Sequence, residues 1–401
     1  MEQKLREVCD AFRIAGEFLG FEEIKVGNVN RTYRVDTRRA DGTERSYIVQ
    51  AVNTYVFQKP VEVMENIDRV TEHIREKTPG RVALHFHHTK DRKTYVFDDN
   101  GFWRLFNFIP SVTYTVCSDL DVVKNAGRAF GEFQMQLSDF DAAALHETIP
   151  DFHNTKRRFE TLFANAEADP LGRSAEVREE LAFLSDIREQ ACRLTALYER
   201  SELPLRVTHN DTKINNVLFD RETGGALAVI DLDTVMPGLV GHDFGDAIRY
   251  AANDVEEDCK QPERAGLNLS VFRAFTEGFL EKTKAALSAR EIETLPLSCL
   301  ALTAELATRF LGDYLLGDPY FKTDYPEHNL VRTKAQFKLL QSAARSRLQR
   351  ICCGIWRKCV RSWRPALQDR LRIEKRSVGG ARESGYGRGN YPLRGVKSLV
   401  Y

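Results

Sequence analysis

The sequence has no long apolar run and no excess of charge of either sign. Its 58 basic and 58 acidic residues cancel, so net charge alone points to neither a nucleic-acid nor a membrane partner. No stretch approaches the roughly 20 apolar residues that a membrane helix needs, and residues 1–18 are charged, unlike a signal peptide. Eight cysteines without CxxC spacing favour reduced thiols. We therefore expect a cytoplasmic protein without a membrane span.

The order of the sequence patterns predicts two lobes. Residues 1–110 contain alternating, strand-like segments around one amphipathic helix, and one of the strands is expected at "RVALHFHH" (81–88). Residues 111–342 are mainly helical, with a short β-hairpin interrupting the pattern. A β-rich lobe followed by a mainly helical lobe is α+β in class.

A third unit, residues 343–401, holds 12 Arg, 3 Lys and only 3 acidic residues. Its end is rich in Gly and Arg with little periodicity, which is typical of disorder. We interpret this segment as a basic tail outside the working fold. The alternative is an arm for nucleic acid or an anionic surface. A nucleic-acid partner is not expected, because no aromatic–basic pattern recurs.

The most informative stretch is "HNDTKINN" (209–216). It places Asp211, Lys213 and Asn216 in the spacing D-x-K-x-x-N, which is the arrangement of a phosphoryl-transfer loop. Asp211 would orient an acceptor hydroxyl and take its proton. Lys213 would neutralise charge on the transferred phosphoryl group, and Asn216 would offer a neutral oxygen ligand to Mg²⁺.

A second metal ligand is expected from the next hairpin strand. The apolar segment "ALAVIDLD" ends with Asp231 and Asp233, and we predict Asp231 as the ligand and Asp233 as the reserve. A literal Asp-Phe-Gly triplet, which holds magnesium in protein kinases, occurs at 243–245. It lies too far beyond the loop for that role, and Asp243 suits a helix N-cap instead.

Together, "HNDTKINNVLF", "VIDLDTVMPG" and "DFGDAIRY" resemble the aminoglycoside phosphotransferase/choline kinase superfamily, and in detail its N-acetylhexosamine 1-kinases. The resemblance covers roughly residues 1–341 and is strongest over 205–250. It implies a bilobal, protein-kinase-like fold. It also implies Mg²⁺-dependent transfer of the ATP γ-phosphate to the anomeric hydroxyl of a sugar substrate, N-acetylglucosamine or N-acetylgalactosamine.

The resemblance also implies roles for single residues. Asp211 becomes the base, Asn216 and Asp231 the magnesium ligands, and His209 and Asp246 braces of the catalytic loop. "VGNVNRTYRV" matches the nucleotide-covering loop, and "WRLFNFI" matches the segment that joins the lobes. The residues expected to contact the nucleotide are Gly27, Asn28, Asn30, Thr32, Asn107 and Ile109.

One position departs from the family's pattern. The kinase-like fold usually carries a Lys or Arg on its third strand, paired with a helix Glu, to hold the α- and β-phosphates. Here that strand reads "SYIVQAV" and offers only Gln50. Lys59 follows at the start of the next helix, where Glu62 and Glu65 could partner a base. Either the phosphates are held otherwise, or nucleotide binding is weakened.

The acceptor site is predicted within "ELATRFLGDYLLGDPYF" (305–321). Arg309 and Asp313 share a helical face there, and Tyr314 could stack on a sugar; a surface salt bridge is the alternative. Three other functions stay open. They are a kinase of another small hydroxyl compound (choline, an aminoglycoside or homoserine), a nucleotide-binding pseudokinase, and a nucleic-acid-binding protein.

Overall fold

The computed structural model describes residues 1–25, 29–346, 348–361 and 398–400. It confirms the predicted α+β class, with a small antiparallel sheet lobe followed by a mainly helical lobe. The elements of the N-terminal lobe (N-lobe) are α1 (Glu2–Ala11), β1 (Glu17–Ile24), β2 (Arg31–Arg38), β3 (Glu44–Val52), α2 (Pro60–Lys77), β4 (Val96–Asp98) and β5 (Gly101–Asn107).

The N-lobe sheet has the strand order β1-β2-β3-β5-β4. Helix α1 covers one face, where Leu5 packs in a cluster with Tyr33 and Trp103. Helix α2 covers the other face through Ile67 and Val70. Burial on both faces explains why the centre of β3 reads as a nearly continuous apolar run rather than an alternating one.

Residues 81–88 form a single bridge and not the expected strand. Phe86 makes an isolated bridge with Phe106 on β5. Before this bridge the side chain of Asn107 bonds the passing backbone, accepting from His85 N (2.7 Å) and donating to Ala83 O (3.1 Å). On this side of the bridge side-chain bonds take the place of a continued backbone ladder, so the segment passes β5 as a loop.

The C-terminal lobe (C-lobe) begins after β5. Its elements are β6 (Val112–Tyr114), α3 (Leu120–Gln136), α4 (Thr155–Ala168), α5 (Arg178–Glu199), β7 (Arg206–Thr208), β8 (Val217–Phe219), β9 (Ala226–Val229), β10 (Met236–Gly238), α6 (Val240–Ala251), α7 (Leu269–Thr283), α8 (Ala289–Leu316), α9 (His328–Arg345), α10 (Leu348–Arg361) and β11 (Ser398–Val400). The short strand pairs β7–β10 and β8–β9 flank the loop "HNDTKINN".

Helix α10 lies within the segment that was interpreted as a tail. Its residues Leu348, Cys352 and Ile355 are buried in the same apolar cluster as α6 and α7. This part of the basic segment is therefore built onto the C-lobe. The Gly- and Arg-rich end falls almost entirely outside the described residues, and the domain bounds 1–110, 111–342 and 343–401 stay a prediction.

No helix within the described part of the chain is long and apolar enough to cross a membrane. Free thiols in that part include those of Cys9, Cys117, Cys192, Cys259, Cys299 and Cys352. A cytoplasmic location stays a prediction from the sequence.

Candidate active site

The loop after β7 carries the predicted catalytic residues, and helix α6 holds it by its backbone. The buried carboxylate of Asp243 accepts hydrogen bonds from His209 N (3.0 Å) and Asn210 N (2.8 Å). Gln134 Nε2 donates to the same carboxylate (2.7 Å). Burial raises the pKa of Asp243 above its ordinary value, although these donors oppose the shift. The first residue of the Asp-Phe-Gly triplet thus supports the loop from behind.

The geometry of α6 corrects the expected N-cap. The helix begins at Val240, so Asp243 lies within its first turn and does not cap it. Asp246 also grips the loop, because its carboxylate accepts from Thr212 N (3.0 Å). Arg249 neutralises Asp246 at 2.8 Å, with both side chains buried. Two aspartates one turn apart therefore fix the backbone of the loop.

His209 ties the loop to the neighbouring strand. Its ring is fully buried and meets Phe130 and Phe133 edge-on, at centroid distances of 5.8 and 5.9 Å. Nδ1 accepts from Asp211 N (3.2 Å), and Nε2 donates to the carbonyl of Ile230 (2.8 Å). These two bonds require a neutral ring with its proton on Nε2. His209 is placed to position the loop and does not face the cleft.

Asp211, Lys213 and Asn216 meet as their spacing predicted. Lys213 Nζ lies 3.0 Å from Asp211 Oδ1, and Asn216 Nδ2 donates to Asp211 O (2.8 Å) and Oδ2 (3.2 Å). Burial acts to raise the pKa of Asp211, but the positive charge of Lys213 and its hydrogen bond to the carboxylate oppose burial, and the pKa lies below its ordinary value. Asp211 in turn raises the pKa of Lys213. The carboxylate is therefore ionised at neutral pH.

Asp231 lies beside Asn216. Ile230 N donates to Asn216 O (2.9 Å), which brings the next residue, Asp231, alongside the loop. Asp231 adopts the left-handed conformation (φ 61°), which aspartate tolerates better than most residues. Loss of solvation in the surrounding protein raises the pKa of Asp231 to about 6, and the negative charges of Asp233 and Asp211 raise it further.

The donor set of Asn216 and Asp231 fits a hard divalent cation. The amide nitrogen of Asn216 is committed to Asp211, which leaves its amide oxygen for a metal. Excess negative charge at Asp231 is what a bound cation would relieve. Among the described residues no three His, Cys, Asp or Glu side chains form a ready metal cluster. Two protein ligands nevertheless suit Mg²⁺, which usually keeps waters and binds substrate phosphates.

Asp233 does not serve as the reserve metal ligand. It forms a buried, two-pronged ion pair with Arg104 of β5, in which Nη2 donates to Oδ2 at 3.0 Å and Nη1 donates to Oδ1. Asn30 Nδ2 donates to the same carboxylate (2.6 Å). These contacts join the N-lobe sheet to the C-lobe. The sequence offered no signal for the pair, because its partners lie 129 positions apart.

Gln50 faces the same arginine. It lies directly opposite Arg104 in the β3–β5 register, its Oε1 accepts from Arg104 Nε (2.9 Å), and its Nε2 donates to Thr32 Oγ1 (3.0 Å). Strand β3 therefore carries no cation at this position, as the sequence predicted, and β5 does.

The acids of helix α2 face elsewhere, contrary to their predicted role. Glu62 pairs with Lys59 at 3.0 Å and Glu65 with His146 at 2.7 Å, in each case at the surface. Neither is bonded to Arg104.

Of the residues predicted to contact the nucleotide through the covering loop, the structure describes two and leaves two undescribed. Gly27 and Asn28 lie outside the described residues. Asn30 and Thr32 lie beside Asp233 and Gln50, with which their side chains bond.

At the segment joining the lobes, the backbone N–H of Asn107 is already used, because it donates to His85 O (3.2 Å). Phe108 N likewise donates to Ser46 O (3.3 Å). The hydrogen bonds among the described residues leave the N–H of Ile109 as the donor for the adenine base of a nucleotide.

Two predicted acceptor residues have structural partners instead. Asp313 accepts from the backbone of Tyr320 and Phe321, both at 2.9 Å, and so shapes the turn after α8. Tyr314 is buried in the apolar cluster beneath α4 and α5, and its hydroxyl donates to Glu176 (3.1 Å). The alternative interpretation, a salt bridge between Arg309 and Asp313, is not found among the ion pairs of the described residues.

Two residues that the sequence did not single out connect the helix of Arg309 to the catalytic loop. His153 Nε2 donates to Asn210 O (3.0 Å), and its Nδ1 lies 2.8 Å from Glu305, one helical turn before Arg309. Burial acts to lower the pKa of His153, but Glu305 outweighs it and raises the pKa. Both side chains are buried.

The surroundings of Arg309 are aromatic and basic. Its guanidinium lies 5.3 to 5.7 Å from the rings of Phe152, Tyr320 and Phe321. Burial lowers the pKa of nearby Arg158, and the positive charge of Arg309 contributes. Arg158 Nε is buried without an acceptor among the described residues. We call this set, with His153 and Glu305, the acceptor wall.

The two lobes, the braced Asp-x-Lys-x-x-Asn loop and the adjacent Asp231 define a phosphotransferase with a kinase-like fold. Solved structures share this fold. An aminoglycoside phosphotransferase from Alicyclobacillus acidocaldarius aligns with TM-score 0.54 and 12% identity, over 89% of this chain and 96% of its own. An ethanolamine kinase from Plasmodium vivax aligns with TM-score 0.51 and 16% identity, over 82% and 84%. An amicoumacin kinase in complex with AMP-PNP and Ca²⁺ aligns with TM-score 0.53 and 10% identity, over 84% and 93%.

The sequence pattern of the phosphotransferase enzyme family matches residues 20–275, more than half of the chain. The chain therefore belongs to the phosphotransferase enzyme family. It is an ATP-using kinase whose acceptor is an alcohol group of a small molecule.

Proposed function

We propose that the protein is a Mg²⁺-dependent N-acetylhexosamine 1-kinase. It would transfer the γ-phosphoryl group of ATP to the C1 hydroxyl of N-acetylglucosamine or N-acetylgalactosamine. The observation that supports this acceptor is the positive charge of the acceptor wall, where Arg309 stands among three aromatic rings.

This charge argues against the cationic acceptors used by related kinases. Choline, ethanolamine and aminoglycosides carry positive charge, which Arg309 and Arg158 would repel. A cage for a quaternary ammonium would place acids among its aromatic residues, whereas Glu305 is already bonded to His153. A neutral sugar fits better, because Tyr320 is exposed for stacking and the arginines can donate to hydroxyl and acetamide oxygens.

The catalytic loop supplies the groups for in-line transfer. As the C1 oxygen forms its bond to the γ-phosphorus and the bond to the β-phosphate oxygen breaks, Asp211 accepts the hydroxyl proton. An anomeric hydroxyl is more acidic than an ordinary alcohol, so a base with a lowered pKa suffices. Lys213 would stabilise negative charge on the phosphoryl oxygens. Asn216 and Asp231 would hold Mg²⁺, which when bound neutralises charge on the β- and γ-phosphates.

The test is ADP release across an acceptor panel that includes a blocked sugar. We expect turnover with N-acetylglucosamine or N-acetylgalactosamine and none with their methyl glycosides, which lack only the free C1 hydroxyl. Choline, ethanolamine, an aminoglycoside and homoserine should be poor acceptors. Asp211→Asn should lower kcat by about 10²- to 10⁴-fold, because it removes the base, while ADP still binds.

Equal turnover of the methyl glycosides would exclude the anomeric hydroxyl as the acceptor. Preference for choline or ethanolamine would contradict the charge argument. ADP binding without turnover of any acceptor would identify a pseudokinase.

A further inference from the structure

Strand β3 lacks the base that usually holds the nucleotide phosphates, yet a cation lies at the same point of the lobe. Arg104 is 2% exposed and stands directly opposite Gln50 in the sheet. Because neighbouring strands lie about 5 Å apart, the guanidinium can occupy space that a base at position 50 would reach. Gln50 accepts from Arg104 Nε (2.9 Å) and so fixes the direction of the side chain.

The acid that pairs with this arginine also differs from the usual arrangement. In protein kinases a third-strand Lys pairs with a Glu of the N-lobe helix. Here Asp233 takes the place of that Glu, and it lies two residues after Asp231 in the C-lobe.

Three other cations near this part of the sheet already have acidic partners. Lys59 pairs with Glu62, Arg31 with Glu23, and Arg34 with Asp36.

Arg104 retains a donor for a ligand. A guanidinium carries five N–H groups. Nε bonds Gln50, Nη1 bonds Asp233 and faces Met64 Sδ at 3.8 Å, and Nη2 gives one bond to Asp233. Among the residues that the structure describes, one N–H of Nη2 has no acceptor. Asn30, from the nucleotide-covering segment, shares Oδ2 of Asp233 (2.6 Å), so that segment and the arginine converge on one carboxylate.

We propose that Arg104 binds the α- and β-phosphates of the nucleotide, with Gln50 and Asp233 holding its guanidinium in place. The inference rests on the kinase activity of the protein, and it does not depend on the identity of the acceptor. It assigns to β5 and the C-lobe a function that the third strand and its helix perform in other kinase-like folds. Because Arg104 and Asp233 come from different lobes, their ion pair places the phosphate-binding cation at the junction of the lobes.

The test measures binding of ADP and of adenosine by calorimetry, without acceptor and with EDTA in place of metal. Arg104→Met should weaken ADP binding by about 10- to 100-fold, as expected for loss of a charge-assisted hydrogen bond, and should leave adenosine binding unchanged. Arg34→Met, which removes an arginine from β2 on the other side of β3, is the matched control and should alter neither affinity.

Two double variants complete the design. Arg104→Met leaves Asp233 buried without its partner, which destabilises a protein strongly. Arg104→Met/Asp233→Asn removes both charges and carries the same comparison if the single variant does not fold. Gln50→Lys/Arg104→Met returns a cation to the third strand and should recover most of the ADP affinity.

Equal losses for ADP and adenosine would overturn the proposal, because they would show that the pair only maintains the structure of the site. An unchanged ADP affinity would overturn it as well. Wild-type protein that binds ADP but phosphorylates no N-acetylhexosamine would refute the proposed acceptor alone and would leave the role of Arg104 supported by its own data.

Discussion

The predicted base, Asp211, is held next to its own counter-ion. Lys213 lies 3.0 Å away and lowers the pKa of the carboxyl against the opposing effect of burial. The cost of this arrangement is a weaker base, and the gain is a carboxylate that stays ionised over a wide pH range. A weak base is compatible with an acidic hydroxyl on the acceptor.

Replacing the lysine should therefore change the pH profile as well as the rate. In Lys213→Met the pKa of Asp211 should rise, since the nearest cation is gone. The base is protonated below its pKa, so the acidic limb of kcat/KM should move to higher pH, while kcat falls because charge on the phosphoryl group is less well stabilised. Rates measured from pH 4 to 9 test this, with Lys59→Met as the surface control. An acidic limb that does not move would show that Lys213 does not set the pKa of the base.

At the residue scale, the sequence predicted the catalytic loop well because its functional groups lie within one short run. Asp211, Lys213 and Asn216 are brought together by local chain geometry alone. The pairing of Arg104 with Asp233 depends on how two lobes pack, which no local pattern encodes. The acids of α2, which the resemblance suggested as partners of a base, pair with Lys59 and His146 and not with Arg104.

At the scale of elements, each residue of the Asp-Phe-Gly triplet has a structural role in helix α6. Asp243 holds the catalytic loop, Phe244 is fully buried among Phe272, Phe275 and Phe279, and Gly245 lets α6 approach α8. The triplet therefore serves packing and support.

The close approach of α6 and α8 predicts a large cost for one added methyl group. A Cβ at Gly245 would lie 2.5 Å from the carbonyl oxygen of Ser298, which is backbone and cannot turn aside. Gly245→Ala should lower the free energy of unfolding by about 1–3 kcal/mol, as measured by urea denaturation, and activity should fall because the helix that grips the loop is displaced.

The matched control is Gly354→Ala on α10, where an added Cβ meets nothing within 4 Å. That change should be neutral or stabilising, since alanine favours helix over glycine by about 0.5–1 kcal/mol. Equal behaviour of the two variants would refute the steric argument.

Helices were easier to predict than the short strands around them. The apolar periodicity of α2 and α3 continues for several turns and fixes their inward faces. Residues 81–88 had the composition of a strand, but Asn107 supplies side-chain hydrogen bonds where a second strand would need backbone ones. Such a substitution depends on a residue 22 to 24 positions away, so a local pattern could not reveal it. Sequence spacing likewise showed that Arg309 and Asp313 share a helix face. It did not show that Asp313 would bond the turn after α8 while Arg309 would lie among aromatic rings.

For the molecule as a whole, the lobes are joined at the level of helix α2. Asn66 Nδ2 donates to His146 O (2.8 Å) and Val235 O (3.0 Å), and its Oδ1 accepts from His146 N (2.8 Å). One apolar cluster also runs from α2 and β5 to Leu218 and Leu232 of the C-lobe. Helix α2 is thus anchored to the C-lobe.

The C-lobe core extends into the basic segment, and this can be tested on α10. Ile355 is 5% exposed within the cluster formed with α7 and α8. Ile355→Asp would bury a charge and should destabilise the protein by about 3 kcal/mol or more. Arg350→Asp, at an exposed position of the same helix, should change stability by no more than about 0.5 kcal/mol. Thermal denaturation compares the two variants, and a similar melting temperature for both would show that α10 contributes little to the core.

Composition suggested a tail because arginine dominates the segment, yet the buried face of α10 needs only a few apolar residues. Leu348, Cys352 and Ile355 recur at helical spacing among the charges. The net charge of such a helix reflects the residues on its solvent-facing side. It gives no information about the apolar residues on the side that packs against the core.

The way in which α6 grips the catalytic loop also bears on how the protein can evolve. Asp243 and Asp246 bond the main-chain N–H groups of residues 209, 210 and 212. Main-chain donors are the same in every amino acid except proline. Mutations that exchange the side chains of residues 211 and 213 therefore leave the grip of α6 on the loop intact, so new chemistry at these positions can be sampled without losing the frame that presents it.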